Sequence, residues 1–181
     1  KAVKKRLKDS TSARNRILYF KDMTEKITNT TQPYLAYKMD CSYSKAFKSI
    51  SLACDPNLIK RLSKNFLLGV VTNQVCITQL QKIIKLKRII KYFKIIVTSE
   101  EVGVEKPSIR IFQEALKRAQ CFPSQAVMVG DDYKKDILGA HFAGLKSIFI
   151  SKHKQTEILH HKNIKVCKNI NDIEKILCQW N

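Results

Sequence analysis

Acidic residues, glycine and proline are all scarce in this chain. Its 181 residues contain 15 Asp and Glu against 34 Lys and Arg, with only five Gly and four Pro. Because 44% of the residues are apolar, the composition excludes disordered and collagen-like chains and indicates a globular protein. No apolar run approaches the roughly 18 to 20 residues that a membrane-spanning helix needs, so we predict no membrane partner.

Cysteine patterns of known function are also lacking. The six cysteines form neither a CxxC pair nor a cysteine–histidine metal pattern (Cys41, Cys54, Cys76, Cys121, Cys167 and Cys178). Most lie in apolar stretches, where a free thiol behaves as a small apolar side chain. Because disulfide frameworks are typical of secreted proteins, we predict reduced thiols and a cytoplasmic location. The pair His160 and His161 has no third ligand nearby in the sequence, so we interpret it as solvated.

Positive charge is in large excess and is dispersed along the chain. The formal net charge is +19, and Lys supplies 27 of the 34 basic residues. Nucleic-acid-binding surfaces more often concentrate Arg and interleave exposed aromatic residues, so a nucleic-acid partner is the less favoured interpretation. The charge would still raise the local concentration of anionic substrates, including phosphates.

The first third of the chain has the pattern of helices. Within Arg14–Ile27 the apolar residues recur at three- and four-residue steps, which is the helical period. A turn-like break follows at Thr28–Pro33, and a second helical stretch is predicted around Ser44–Leu52. Asp55 and Pro56 then form a typical helix start, in which Asp55 is the N-cap.

From residue 55 onward, apolar strands alternate with helices. We predict strands at Phe66–Thr72, Ile95–Thr98, Ala126–Val129 and Leu145–Ile150, and helices at Val75–Tyr92, Ser108–Ala119, Lys134–Phe142 and Asn171–Cys178. Strands separated by helices of this length indicate βαβ units. The predicted fold class is therefore α/β, with a doubly wound, Rossmann-like parallel sheet in a core (55–181) and a small helical segment (1–54) before it.

Polar residues follow the predicted strands where ligands of open parallel sheets gather, beyond the C-terminal strand ends. Thr72 and Asn73 end the first strand and offer a hydroxyl, an amide and backbone N–H groups at a helix start, which is a natural phosphate cradle. Lys106 lies in a turn after the second strand and provides a point charge for phosphate oxygens.

Three carboxylates follow the third strand, those of Asp131, Asp132 and Asp136. Such oxygen ligands suit a hard cation such as Mg²⁺. Each of these features has an ordinary structural explanation when it occurs alone. A Thr at a strand end is usually a helix cap, a Lys before Pro is usually a solvated loop residue, and a Gly-Asp-Asp sequence is often a turn. Their order and their spacing along one strand–helix pattern argue against coincidence.

Three segments resemble the second, third and fourth motifs of haloacid-dehalogenase-type hydrolases, in the right order. They are Val70–Gln74 (VVTNQ), Gly103–Leu116 (GVEKPSIRIFQEAL) and Val127–Gly144 (VMVGDDYKKDILGAHFAG). The helical segment before Asp55 is similar to the α-helical cap that many of these enzymes insert between their first and second motifs. A cap closes over the site and sets the choice of substrate.

The resemblance implies a role for each residue of the phosphate cradle. Thr72 would bind the transferring phosphoryl group, and Asn73 would help to position it. Lys106 would neutralise the charge of the nucleophile and of the phosphate.

The resemblance also implies a metal site and a reaction. Asp131 would ligate Mg²⁺, and either Asp132 or Asp136 would support the site. The parent protein would be a Mg²⁺-dependent phosphatase that hydrolyses a small phosphorylated metabolite through an aspartyl-phosphate.

The nucleophile of that reaction is missing from this chain. The family carries it in a DxDxT motif, whose second Asp is the general acid and base, and no DxD sequence occurs here. The nearest imitation, Ile17–Thr24, would put Phe20 at the nucleophile position and Asp22 at the acid and base position, but its apolar residues form a helical stripe. We therefore expect the motif upstream of Lys1 and an inactive chain without it. A pseudoenzyme and a basic polyanion-binding protein are the alternatives.

Overall fold

The structure is a computed structural model that describes residues 15–45, 54–151 and 161–180. Its α-helices are α1 (Arg16–Thr28), α2 (Pro33–Lys45), α3 (Pro56–Asn65), α4 (Cys76–Lys85), α5 (Ser99–Val102), α6 (Ile109–Ala119), α7 (Gly139–Phe142) and α8 (Ile173–Cys178). Its strands are β1 (Leu68–Thr72), β2 (Phe93–Thr98), β3 (Val127–Gly130), β4 (Lys146–Ile150) and β5 (Ile164–Cys167). A π-helical turn at Tyr133–Leu138 joins β3 to α7.

The first helix confirms the prediction made for Arg14–Ile27 from Arg16 onward, while Arg14 lies outside the described residues. Asn15 caps α1, because its side chain accepts a hydrogen bond at 3.3 Å from the N–H two residues further on. Phe20 lies on this helix and meets the ring of Tyr43 edge-on, with 6.0 Å between ring centroids. The segment Ile17–Thr24 is thus helical, which excludes it as the first strand of a DxDxT motif.

A helix that the sequence analysis did not predict, α2, packs against α1. It starts at Pro33, since proline at the first helical position has no N–H to leave unpaired. Ala36 is its one buried residue, so its apolar pattern is weak. The predicted helical stretch around Ser44–Leu52 begins in the last residues of α2, and its remainder (46–52) lies outside the described residues.

The strands pair in parallel, as predicted. In the β1–β2 pair, Thr72 lies opposite Thr98, and β4 pairs with both β3 and β5. The short strand β5 was not predicted. Within the described ranges no backbone pairing joins β1 to β3, so the strands form one group of two and one group of three.

Both strand groups nevertheless contribute to the same two apolar cores. Val71 of β1 and Met128 of β3 belong to one core, with residues of α6 and α7. Leu68 of β1 belongs to the other, with Val127 and Val129 of β3 and residues of α3 and α8. Because successive side chains of a strand point to opposite faces, helices cover both faces of the strands. This is the doubly wound α/β architecture expected from the sequence.

Two predicted helices differ from the observed ones. The helix predicted at Val75–Tyr92 is shorter, because α4 ends at Lys85 and the chain turns before β2. That turn carries Ile89 into the interior, where it is 4% exposed. The helix predicted at Lys134–Phe142 is a π-helical turn followed by the short helix α7.

Asp55 caps α3 as predicted, since its Oδ1 accepts a hydrogen bond from the Asn57 N–H at 2.9 Å. All six cysteines are free thiols. Among the described helices, none is long and apolar enough to cross a membrane.

Candidate active site

Lys106 lies where the C-terminal ends of β1 and β3 come together. Its Nζ donates a hydrogen bond to the backbone carbonyl of Val71 at 2.8 Å and pairs with Asp136 Oδ1 at 2.6 Å. The Lys106 and Asp136 side chains are only 10% and 9% exposed, so each charge is compensated mainly by the other. These contacts account for two of the three N–H donors of the ammonium.

Asp136 reaches Lys106 because of the backbone around it. The π-helical turn Tyr133–Leu138 carries it back toward the end of β3, where its Oδ2 accepts a hydrogen bond from the Asp132 N–H at 3.2 Å. A Cβ built on Gly130 would lie 2.4 Å from the Cβ of Asp136. The absence of a side chain at Gly130 therefore makes room for the carboxylate.

The end of β1 is tied to the Lys106 loop through Asn73. Asn73 Oδ1 accepts a hydrogen bond from the Lys106 N–H at 2.6 Å, and its Nδ2 donates one to the Lys106 carbonyl at 2.9 Å. Nδ2 also donates to Glu105 Oε2 at 3.3 Å. Thr72, the residue before Asn73, is half-buried. The structure thus brings Asn73, Lys106 and Asp136 together, next to Thr72.

Glu100 is a residue of this region that sequence reasoning missed. It lies in α5, and its Oε2 accepts a hydrogen bond from the Cys76 N–H at 2.8 Å, at the start of α4. Val75, the N-cap residue of α4, makes no capping hydrogen bond with its own side chain. The cap comes from a residue 24 positions away, so no local sequence signal could have revealed it.

Asp132 is held by Lys135. Its Oδ1 accepts a hydrogen bond from the Lys135 N–H at 3.0 Å, and its carboxylate pairs with the Lys135 ammonium. Burial disfavours the charged carboxylate, but the hydrogen bonds and charge of Lys135, with the charge of Lys106, outweigh it and lower the pKa of Asp132.

Asp131 differs from the other two carboxylates. It is exposed, and it has no hydrogen-bond or ion-pair partner among the described residues. No group of three or more His, Cys, Asp or Glu side chains in the described ranges could hold a metal ion. The oxygen donors therefore fit Mg²⁺ in kind, but the described residues supply only part of a ligand set.

Comparison with known proteins identifies the family to which this site belongs. A family model described as haloacid dehalogenase-like hydrolase matches residues 12–150. The chain belongs to the haloacid dehalogenase-like hydrolase family.

Two curated relatives of this haloacid dehalogenase-like chain are phosphatases by name. It is 42% identical over 125 residues to a glyceraldehyde 3-phosphate phosphatase from Methanothermobacter thermautotrophicus, and the aligned region covers 66% of this chain and 55% of the relative. It is 31% identical over 158 residues to a ribulose-1,5-bisphosphate 5-phosphatase from Halopiger xanaduensis, and the aligned region covers 86% of this chain and 66% of the relative. The chain thus spans less than two thirds of the length of each.

A solved structure of the same superfamily matches the fold. The 2-haloacid dehalogenase from Pseudomonas syringae pv. Tomato aligns with a TM-score of 0.71 at 27% identity, and the alignment covers 82% of this chain and 63% of that protein. The haloacid dehalogenase-like fold therefore extends over most of the chain.

Proposed function

We propose that the chain is part of a Mg²⁺-dependent phosphatase that hydrolyses a small phosphorylated metabolite. The names of the two curated relatives support this substrate class. The observation that carries the proposal is the buried ammonium of Lys106, held between Val71 of β1 and Asp136 of the π-helical turn that follows β3. An anion bound beside it would interact with a fixed charge in a place where water screens little.

Each residue of the site has a distinct part in the proposed reaction. The Lys106 ammonium keeps one N–H donor for a phosphoryl oxygen. Its positive charge offsets the negative charge that builds up on that oxygen during the reaction. The Thr72 hydroxyl donates to a second oxygen of the same group. Asp136 holds Lys106 in place. Asp131 would hold Mg²⁺, with Asp132 next to it, and the bound ion would add Lewis-acid stabilisation of the phosphoryl group.

The nucleophilic Asp is proposed to precede Lys1. A first strand that carries it would pair with β1 and β3, which share both apolar cores but no backbone pairing among the described residues. The strand end would then lie next to Lys106, as attack on a phosphoryl group and formation of an aspartyl-phosphate require.

We also propose that residues 1–54 form the cap and residues 55–181 the core. The hairpin of α1 and α2 supports this division, because its two helices pack on each other. It meets the core at α4, where the Lys85 ammonium donates a hydrogen bond to the Ser44 carbonyl at 3.4 Å.

Hydrolysis of an aryl phosphate tests the proposed function. The 181-residue chain and a chain extended at its N-terminus with the natural upstream segment are assayed with Mg²⁺ and with a chelator. We expect turnover only in the extended chain with Mg²⁺, and its loss in Lys106→Gln. Turnover of about 1 s⁻¹ or more by the 181-residue chain, an ordinary enzyme rate, would contradict the upstream nucleophile and make Asp22 and Asp132 the first residues to substitute.

The net charge of +19 favours one other candidate, a non-catalytic polyanion-binding protein. Binding of a polyanion such as a nucleic acid weakens steeply with added salt through counterion release. The same binding would not depend on Mg²⁺ in the way that hydrolysis does. A salt titration of nucleic-acid binding beside the phosphatase assay separates the two candidates.

A further inference from the structure

The side chain of Asn73 has no free hydrogen-bond donor for a ligand. A side-chain amide carries two N–H donors, and both are used by the loop that holds Lys106. One contacts the Lys106 carbonyl at 2.9 Å and the other contacts Glu105 Oε2 at 3.3 Å. A phosphoryl oxygen could bind to this amide only if one of these contacts broke.

The orientation of the Asn73 amide is fixed by its partners. Its oxygen accepts a hydrogen bond from the Lys106 N–H at 2.6 Å. A flipped amide would set its N–H₂ group against that N–H and its oxygen against the Lys106 carbonyl and the Glu105 carboxylate. None of these contacts can be a hydrogen bond, so the amide oxygen remains the acceptor of the Lys106 N–H. In that orientation the oxygen, which would repel an anion, faces the Lys106 backbone.

Lys106 is therefore held at both ends. Asn73 binds its backbone N–H and carbonyl, while Val71 and Asp136 bind its ammonium. Val71 lies in β1 and Asn73 is the first residue after it. The Asn73 amide therefore fixes the distance between the Lys106 backbone and the carbonyl that its ammonium must reach. A long, flexible lysine side chain is thereby confined to one position before any substrate binds.

We infer that the side chain of Asn73 is a positioning group that acts through Lys106 and is not a ligand of the phosphoryl group. The inference rests on the proposed function for its consequence in catalysis, but the hold on Lys106 can be measured independently. It assigns to the Asn73 side chain a role different from the phosphate-binding role that the sequence motif implied.

The first measurement follows Lys106 alone. The chain is treated with an amine-acylating reagent, and the acylation rate of each lysine is followed by mass spectrometry. We expect Asn73→Ala to speed acylation of Lys106 by about fivefold to tenfold, the factor for loss of one hydrogen bond of ordinary net strength. Asn73→Asp keeps the acceptor oxygen but loses both N–H donors, and its carboxylate is repelled by that of Glu105. It should therefore also speed acylation of Lys106, although the side-chain volume is unchanged. Asn65→Ala and Asn65→Asp, at the exposed end of α3, are the matched controls.

The second measurement is a double-mutant cycle on the binding of inorganic phosphate, followed by ³¹P NMR at constant ionic strength. Asn73→Ala is made in the wild-type chain and in Lys106→Gln, which keeps hydrogen-bond donors in place of the ammonium. We expect it to weaken binding severalfold in the wild type and to have little effect in Lys106→Gln, because interactions through a shared partner are not additive.

The outcomes are distinct. An unchanged Lys106 acylation rate in both Asn73 variants would overturn the inference. An equal loss of phosphate affinity in both backgrounds would also overturn it, since the Asn73 side chain would then contact the phosphate itself. If the wild-type chain binds no phosphate, the proposed function fails at this site, while the acylation rates still decide whether Asn73 holds Lys106.

Discussion

At the scale of single residues, Gly130 has the least tolerance for a side chain. A Cβ at this position would lie 2.4 Å from Asp136 Cβ and 2.4 Å from its Oδ2. The Cβ of Asp136 is bonded directly to the backbone, so it can move only if the π-helical turn moves with it.

We therefore expect Gly130→Ala to destabilise the chain by about 1–3 kcal/mol, the usual cost of overpacking, and to separate Asp136 from Lys106. Gly103→Ala is the matched control. Gly103 has a φ of +78° but no atom within 4 Å of an added Cβ, so its cost is the backbone strain alone, about 1–2 kcal/mol. Urea denaturation gives both values, and Lys106 acylation reports the ion pair. Faster acylation in Gly103→Ala than in Gly130→Ala would contradict the steric account.

The lowered pKa of Asp132 predicts a pH dependence of stability. A carboxyl whose pKa is lower in the folded chain stabilises it above the unfolded pKa, about 3.9. That contribution is lost as the pH falls through the folded value. We expect wild type to be more stable than Asp132→Asn at pH 7 and the difference to shrink below about pH 4. Asn keeps the capping oxygen, so the change isolates the charge.

Thermal unfolding of both chains between pH 3 and pH 7 measures this dependence. Asp132 and Lys135 are 38% and 42% exposed, so the effect should be small and should decrease with added salt. A difference that stays constant across the pH range would mean that the Lys135 contact does not set the pKa of Asp132.

Residue types and spacing predicted which side chains gather at the strand ends, but not how they are used. Lys106 and Asp136 were both identified as site residues, but the ion pair between them was not predicted. That pair depends on a π-helical turn that no local pattern announces. The contacts of Asn73 and Glu100 join positions that are 33 and 24 residues apart, and spacing alone does not reveal such pairs.

At the scale of elements, α4 depends on a cap from outside the helix. The first N–H groups of a helix lack partners within it, and Glu100 supplies one at Cys76. The carboxylate also lies at the positive end of the helix dipole.

We expect Glu100→Ala to reduce the free energy of unfolding by about 0.5–2 kcal/mol, as for loss of an N-cap. Glu100→Gln should lose less, because its amide oxygen can still accept the hydrogen bond. Hydrogen exchange of the first turn of α4 shows where the loss occurs. Glu101→Ala is the neighbouring control, since Glu101 pairs with Arg118 near the surface and such pairs contribute about 0–1 kcal/mol. Equal effects of Ala and Gln at Glu100 would show that the hydrogen bond does not matter.

Element types were predicted well where apolar periodicity and stop signals agreed. The helix at Ile109–Ala119 and the strands β1 to β4 lie within two residues of their predicted positions. Apolar residues continue past Lys85 with no Gly or Pro, so the sequence carries no signal for the end of α4. The helix ends there because the following turn buries Ile89 in the interior. The helix α2 has little apolar surface and β5 has only four residues, so neither gives a periodic pattern strong enough to predict.

At the scale of the whole molecule, the net charge of +19 opposes compaction. Like charges spread over one surface repel one another and destabilise the folded state. Salt screens that repulsion, with a Debye length of about 10 Å at 0.1 M and about 3 Å at 1 M. The exposed ion pairs, such as that of Arg61 and Glu174, weaken under the same conditions, but each contributes about 0–1 kcal/mol.

Among the ion pairs of the described residues, the buried pair of Lys106 and Asp136 is the one that salt should leave nearly intact, because water has little access to it. Screening therefore removes more repulsion than attraction, and we expect the midpoint of thermal unfolding to rise as NaCl increases from 0.05 to 0.5 M. Each 1 kcal/mol gained would raise the midpoint by about 2–4 °C for a chain of this size. Sulfate and phosphate are excluded from this test, since either could bind at the candidate site. A midpoint that falls with NaCl would show that the surface ion pairs outweigh the repulsion among the dispersed lysines.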